Sequence, residues 1–163
     1  MISLIDKQFL EDKVRSLGSR MYRVASALLR GDADRQDAMQ QALQKVWEKR
    51  QTLRDIQQFD PWLMRILINE CRNIQRRQQR LIPMDQLPQT PSPAHDMSLQ
   101  DAIDRLPDKQ RLCLVLHYLE GLPIKEIAAL LRLPQSTVRG RLMQARKALK
   151  LQLLAGEEAS HAL

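Results

Sequence analysis

Apolar residues recur along the chain at steps of three and four, and the strict alternation of a half-buried strand is absent. Leu17, Met21, Val24, Ala25, Leu28 and Leu29 form one such stripe. The spacing predicts a helix that Gly31 closes, after which Asp32 or Asp34 caps the next. That second helix turns Ala38, Ala42, Leu43, Val46 and Trp47 inward. A third starts near Pro61, where a fixed φ and a missing N–H suit a first helical turn, and carries Leu63, Ile66, Leu67, Cys71 and Ile74. Further on, Ser98 is placed to cap a helix of Leu99, Ala102, Ile103 and Leu106 that ends near Pro107. A helix from Lys109 to Leu119 stops at Gly121, and two more run from Pro123 to Leu131 and from Ser136 to about Leu153. Five glycines in 163 residues complete the picture of an all-α protein.

The stripe breaks once. Residues 78–98, QQRLIPMDQLPQTPSPAHDMS, hold four of the eight prolines and no periodic apolar pattern. They read as an extended, flexible linker that in a polyproline-like state spans roughly 60 Å, at about 3.1 Å per residue. The expected organisation is a helical domain over 1–80, a linker over 81–98, a second helical domain over 99–155 and a frayed tail over 156–163. Halves of this size bury modest cores, so each is expected to gain rigidity from a partner.

Charge narrows the choice of partner. Lysine and arginine number 26 against 19 aspartates and glutamates, a formal net charge of +7, which favours a polyanion such as nucleic acid. Cys71 and Cys113 stand far apart, as do His95, His117 and His161, so neither a disulfide framework nor a zinc site is expected, and no metal or cofactor. No apolar run reaches membrane-spanning length, and the start MISLIDKQFLEDK is too charged for a signal peptide. A cytoplasmic, reduced protein with no direct membrane insertion is expected.

The sharpest local pattern is PIKEIAALLRLPQSTVRGRLMQARKAL, residues 123–149. A short helix, a tight turn around Pro134 and a longer helix make a helix-turn-helix, with Ile127, Leu131, Leu133, Val138 and Leu142 as its core and Ala128 where the helices approach. Ser136 or Thr137 is placed to cap the second helix. Gln135, Arg139, Arg141, Gln144, Arg146 and Lys147 point outward, and residues 123–150 contain seven basic side chains against Glu126 alone. Arginine grips guanine bidentately and glutamine grips adenine, so this face combines base-reading groups with phosphate grips. An ordinary helical hairpin with a solvated basic face gives the same pattern.

A second constellation lies on the helix from Pro61, where Trp62, Arg65, Asn69, Arg72, Asn73 and Arg76 share one side. An aromatic, two amides and three guanidiniums in a row suit unstacked single-stranded nucleic acid. Equally, Phe59 and Trp62 are plausible core residues and RRQQR a solvated helix end. The helix between, with Asp34, Asp37, Gln41, Lys45 and Glu48 on its polar face, reads by pattern alone as a surface helix with acid near its N-terminus.

Taken in order, these pieces resemble the extracytoplasmic-function (ECF) group of the sigma-70 family of bacterial transcription initiation factors. MYRVASALLRGDADRQDAMQQALQKVWEK followed by FDPWLMRILINECRNIQRR is similar to that family's region 2, and LPDKQRLCLVLHYLEGLPIKEIAALLRLPQSTVRGRLMQARKAL to its region 4. The resemblance implies a region 2 helical bundle and a region 4 helix-turn-helix, a non-enzymatic specificity subunit, and no small-molecule substrate. It implies binding to core RNA polymerase, at its clamp coiled coil and flap, with Asp34, Asp37, Gln40, Gln41, Gln44 and Trp47 on the clamp-facing helix. Promoter DNA is the other implied partner, as duplex and as melted non-template strand. For the minus-10 element the implied residues are Arg54, Ile56, Gln57, Gln58, Phe59, Trp62, Arg65, Asn69, Arg72, Asn73, Arg76 and Arg77. For the minus-35 element they are Arg132, Gln135, Ser136, Thr137, Arg139, Arg141, Gln144, Arg146 and Lys147. An anti-sigma factor is a further implied partner. The chain departs from the family in having Asn73 before the arginine pair, Arg132 where the region 4 turn commonly has glycine, and its own loop Ile56-Gln57-Gln58. Two rivals remain at this level. One is a dimeric operator-binding regulator, which needs a dimerisation or sensor element; the other is an enzyme on nucleic acid, which needs a carboxylate, metal or nucleophile cluster.

Overall fold

The computed structural model describes residues 4–81 and 98–162, and among these all regular structure is helical. The chain divides into two compact units, residues 1–79 and 80–163. Residues 82–97, most of the expected linker, lie outside the described residues.

In the first unit α1 (Lys7–Leu28) starts at Asp6, whose carboxylate accepts the Phe9 N–H at 2.7 Å. The whole stripe from Leu17 to Leu29 is buried. α1 ends at Leu29 in extended conformation, and Gly31, at φ −85°, is the N-cap of α2 (Asp32–Glu48) rather than the stop of α1. The Arg35 side chain performs the closure expected of Gly31: its Nε donates to the Leu29 carbonyl at 2.8 Å. Asp32 is already helical and accepts the Tyr22 hydroxyl at 2.7 Å.

α3 (Phe59–Leu81) begins two residues ahead of Pro61, so the proline falls in the first turn, where no N–H is missed. Phe59, Leu63, Met64, Leu67, Ile68, Cys71 and Ile74 are buried. At its far end α3 takes in residues 78–81, which lack an apolar stripe. The Gln75 amide donates to the Leu28 carbonyl at 2.7 Å and the Gln78 amide to Asp34 at 2.6 Å, tying that end to α1 and α2.

The second unit opens with α4 (Leu99–Asp104). Ser98 and Asp101 form a reciprocal capping box there, and these hydrogen bonds hold the Asp101 carboxyl below its usual pKa. α5 (Asp108–Leu114) runs into a π-helical turn, Val115–Leu119, closed by Gly121 at φ +68°. The Arg111 guanidinium, buried, donates to the carbonyls of Ile103, Asp104 and Leu106 and so fixes the α4–α5 corner. α6 (Ile124–Leu131) and α7 (Gln135–His161) follow, with Ile127, Leu130, Leu131, Val138, Leu142 and Ala145 buried between them and α5.

Two expectations are corrected. Neither Ser136 nor Thr137 caps α7; the N-cap is Pro134, whose carbonyl accepts from Thr137 N and Val138 N. Proline's preset φ delivers the chain into the helix without side-chain help. Nor is the stretch from residue 156 a frayed tail, because α7 continues to His161. A single Gly156 costs about 1 kcal/mol against alanine, too little to end a helix flanked by Leu153, Leu154, Ala155, Glu157 and Glu158.

Candidate nucleic-acid interface

The turn between α6 and α7 depends on one residue. Arg132 sits in the left-handed region at φ 56°, ψ 48°, and its N–H and that of Leu133 close the last carbonyls of α6. Glycine would occupy this conformation without steric cost; arginine accepts strain and in return adds an exposed cation at the turn. Along α7, Gln135, Ser136, Arg139, Gln144, Arg146 and Lys147 are exposed, while Thr137 and Arg141 are half-buried.

Gln135, Arg139 and Arg146 stand on one side of the helix, at steps of four and seven. Arg141, two residues from Arg139, falls on the opposite side, so the two arginines do not share a face. Several of these groups are held before any partner arrives. Arg139 donates to the Gln135 amide oxygen at 3.3 Å, and Gln110 donates to Gln144 at 3.4 Å. The Arg146 guanidinium donates to the Tyr118 hydroxyl at 2.9 Å.

Sequence reading missed Tyr118. It is exposed, stacked edge-on against His117 at 4.8 Å, and aimed at α7 because the π-helical turn inserts an extra residue before Gly121. The reading also missed Met143, 63% exposed between Arg139 and Arg146. Its place in the i, i+4, i+7 series from Arg139 is a signal the sequence does contain.

In the first unit, the loop before α3 is built from two short 3₁₀ turns, Arg50–Thr52 and Ile56–Gln58. Asp55 caps the second by accepting from Gln57 N at 3.0 Å. Arg54, Gln57 and Gln58 are exposed and Ile56 is half-buried. Phe59, expected among the DNA-contacting residues, is fully buried and cannot stack on a base. Its ring packs edge-on against Phe9 at 5.1 Å and Trp62 at 6.0 Å, so it supports Trp62 from within. Along α3, Asn69, Arg76 and Arg77 are exposed and Trp62, Arg65, Arg72 and Asn73 half-buried. Asn73 accepts from Arg76 at 3.0 Å.

On α2, Asp37, Gln40 and Gln44 are exposed and Gln41 is half-buried, while Asp34 is engaged by Gln78. Trp47, read from the pattern as inward, is instead 39% exposed, with the Arg50 guanidinium 4.0 Å from its ring centre. Lys45 pairs with the buried Glu70 of α3. A groove of about 420 Å³ brings Gln41, Gln44, Lys45 and Glu48 of α2 beside Glu70, Asn73 and Arg77 of α3. Next to Glu70, burial pushes the Cys71 thiol up to about 12, and the carboxylate adds to the shift. Among the described residues no three His, Cys, Asp or Glu side chains are grouped to hold a metal ion, and no helix is long and apolar enough to cross a membrane.

A helix-turn-helix with a basic, partly preordered second helix, together with a lobe that lines up an aromatic, amides and guanidiniums on one helix, defines a DNA-binding transcription protein. The comparisons make this specific. The family model of sigma-70 region 2 matches residues 14–81 and that of sigma-70 region 4 matches residues 96–149. The chain is 31% identical over 160 residues to the RNA polymerase sigma-E factor of Streptomyces coelicolor, covering 94% of this chain and 90% of that one. It is 28% identical to the ECF RNA polymerase sigma-E factor of Escherichia coli K12, over 78% of this chain and 79% of that one. Among solved structures, the sigma factor RpoE of Bartonella quintana, crystallised with the anti-sigma factor NepR, superposes with a TM-score of 0.72 at 22% identity, covering 92% of this chain and 98% of the other. CnrH, in complex with the cytosolic domain of CnrY, gives a TM-score of 0.67 at 21% identity, over 92% and 90%. The chain belongs to the sigma-70 family, in its extracytoplasmic-function group.

Proposed function

We propose that this ECF sigma factor acts in the cytoplasm, without chemistry of its own, by docking on core RNA polymerase through α2 and dividing promoter recognition between its two units. The observation that carries the division of labour is the contrast between two preordered surfaces. One is a recognition helix with Gln135, Arg139 and Arg146 along one side; the other is α3 with Trp62, Asn69, Asn73, Arg76 and Arg77 beside an exposed Gln57-Gln58 loop.

The first surface suits duplex DNA. A helix in the major groove presents guanidinium and amide groups to base edges and further cations to phosphate, the reading assigned to the minus-35 element. The second suits an opened strand. Trp62 offers a flat face, the Gln57 and Gln58 amides offer donors and acceptors to a base edge, and Arg76 and Arg77 follow the backbone. Extruding a base costs a few kcal/mol, which contacts with such a pocket offset at the minus-10 element. The groove shared by α2 and α3 gives the polymerase-facing Gln41 and Gln44 and the DNA-facing Asn73 and Arg77 one rigid support. An anti-sigma factor is a fitting regulator, as the sigma factor RpoE, whose structure this chain resembles, was crystallised with the anti-sigma factor NepR.

Reconstitution tests this. The chain added to core polymerase and a promoter library randomised in both elements is expected to yield transcripts that neither component gives alone. Asp37→Lys, which reverses charge on an exposed side chain of α2, is expected to weaken co-migration with core about tenfold while leaving helical content unchanged. Absence of both co-migration and transcripts from the unaltered chain would sink the proposal.

A further inference from the structure

Lys13 and Phe9 belong to none of the surfaces assigned above, and both precede residue 14, where the region 2 match begins. Yet they converge on the start of α3. The Lys13 ammonium lies 2.7 Å from the Asp60 carboxylate, and the two side chains are only 29% and 39% exposed. The same ammonium sits 5.7 Å from the centre of the Phe9 ring and 5.6 Å from that of Phe59. Phe9 meets Phe59 edge-on at 5.1 Å, and Phe59 meets Trp62 at 6.0 Å. α1 therefore reaches the loop corner by two routes: an ion pair to the second residue of α3, and a relay of three rings ending on Trp62.

We infer that Lys13 and Phe9 are positioning residues for promoter opening, fixing the corner from Gln57 to Trp62 in the orientation that receives an unstacked base. The inference rests on the base-capture reading given above. Two physical effects support it. Ordering a receptor beforehand removes side-chain and loop entropy from the cost of capture. The ion pair also compensates Asp60, a partly exposed carboxylate at a corner assigned to a polyanion; left alone, that charge repels the strand being captured. Lys13 carries both effects, whereas Phe9 carries only the first.

The test uses holoenzyme reconstituted from core polymerase and the full chain. The probe is a promoter duplex selected by the unaltered holoenzyme from a randomised library, with 2-aminopurine in its minus-10 element to report opening. Lys13→Met is expected to slow opening about fivefold, with unchanged core affinity and unchanged affinity for the closed duplex. Lys13→Arg keeps the ion pair and is expected to restore the rate, and Phe9→Leu to slow opening to a smaller extent. Unimpaired opening by Lys13→Met overturns the inference. So does a loss that tracks a fall in core affinity and thermal midpoint and that Lys13→Arg does not rescue, since that pattern marks general packing. The double variant Gln57→Ala/Gln58→Ala separates this from the underlying reading: if it opens the promoter normally, base capture at this loop is wrong, whatever Lys13 does.

Discussion

Arg132 holds a backbone conformation that L-residues with a Cβ avoid, at the hinge of the DNA-reading hairpin. Substituting glycine removes that strain, although a more flexible unfolded chain offsets part of the gain. Arg132→Gly is therefore expected to stabilise the second unit by about 1 kcal/mol, seen as a higher urea midpoint at unchanged m-value. If Arg132 grips a phosphate, the same change lowers the salt dependence of DNA binding by about one ion. An unmoved midpoint would show that the strain relieved is no larger than the unfolded-chain entropy that glycine adds. Cys71 offers a second check at this scale. Its thiol stands at about 12 against an ordinary 9.0, so the folded state holds the proton more tightly than the unfolded one. That contribution is complete below pH 9 and is lost as the pH rises from there towards 12. Denaturant midpoints of the parent chain are expected to fall across this window relative to Cys71→Ala, and Cys71 is expected to resist iodoacetamide at pH 8 until the chain unfolds. Prompt native-state alkylation of Cys71 would contradict its burial.

At the scale of the element, α7 is expected to separate base reading from charge. Arg139 lies in its second turn, held by Gln135, while Lys150 lies three turns further on and is exposed. Arg139→Ala is expected to cost about 1–3 kcal/mol on the parent minus-35 sequence and to relax preference at one base pair. Lys150→Ala should weaken all sequences alike and reduce the salt slope. Promoter-dependent transcription across single-base variants distinguishes the two. An unchanged ranking of those variants with Arg139→Ala would move base readout elsewhere on the unit, with Arg132 and Gln135 next in line. Arg141 is a weaker candidate than its spacing suggested, since it is half-buried on the other side of the helix.

The whole molecule consists of two units that each contain their own buried residues, Phe59, Leu63 and Leu67 among those of the first and Leu106, Leu112 and Ile127 among those of the second. Each is therefore expected to keep its helices when the covalent link is cut. With a specific protease site inserted between residues 82 and 97, the cleaved chain is expected to retain its circular dichroism while losing promoter-dependent transcription, because the two units that meet the DNA are no longer tethered to each other at high effective concentration. A large loss of helical signal on cleavage would mean that the units stabilise each other.

Local pattern in the sequence suffices for whatever depends on neighbours one helical turn apart. Periodicity placed the helices, the proline-rich break separated the two sets, and the linear order of motifs pointed to the family. It also located the exposed basic residues of α7, because a recognition helix is a local pattern. Tertiary structure alone decided which side chains of an apolar-looking stretch are covered. Phe59 is buried because Phe9, 50 residues earlier in the chain, packs on it, and Trp47 stays exposed despite an inward-pointing register. The same holds for Lys13 with Asp60, Lys45 with Glu70, and Tyr118 with Arg146, pairs brought together by packing across 25 to 47 residues of sequence. A helical pattern fixes the angle at which a side chain leaves its own axis. Whether another helix, a solvent molecule or a strand of DNA meets it there depends on contacts between positions that no local pattern relates.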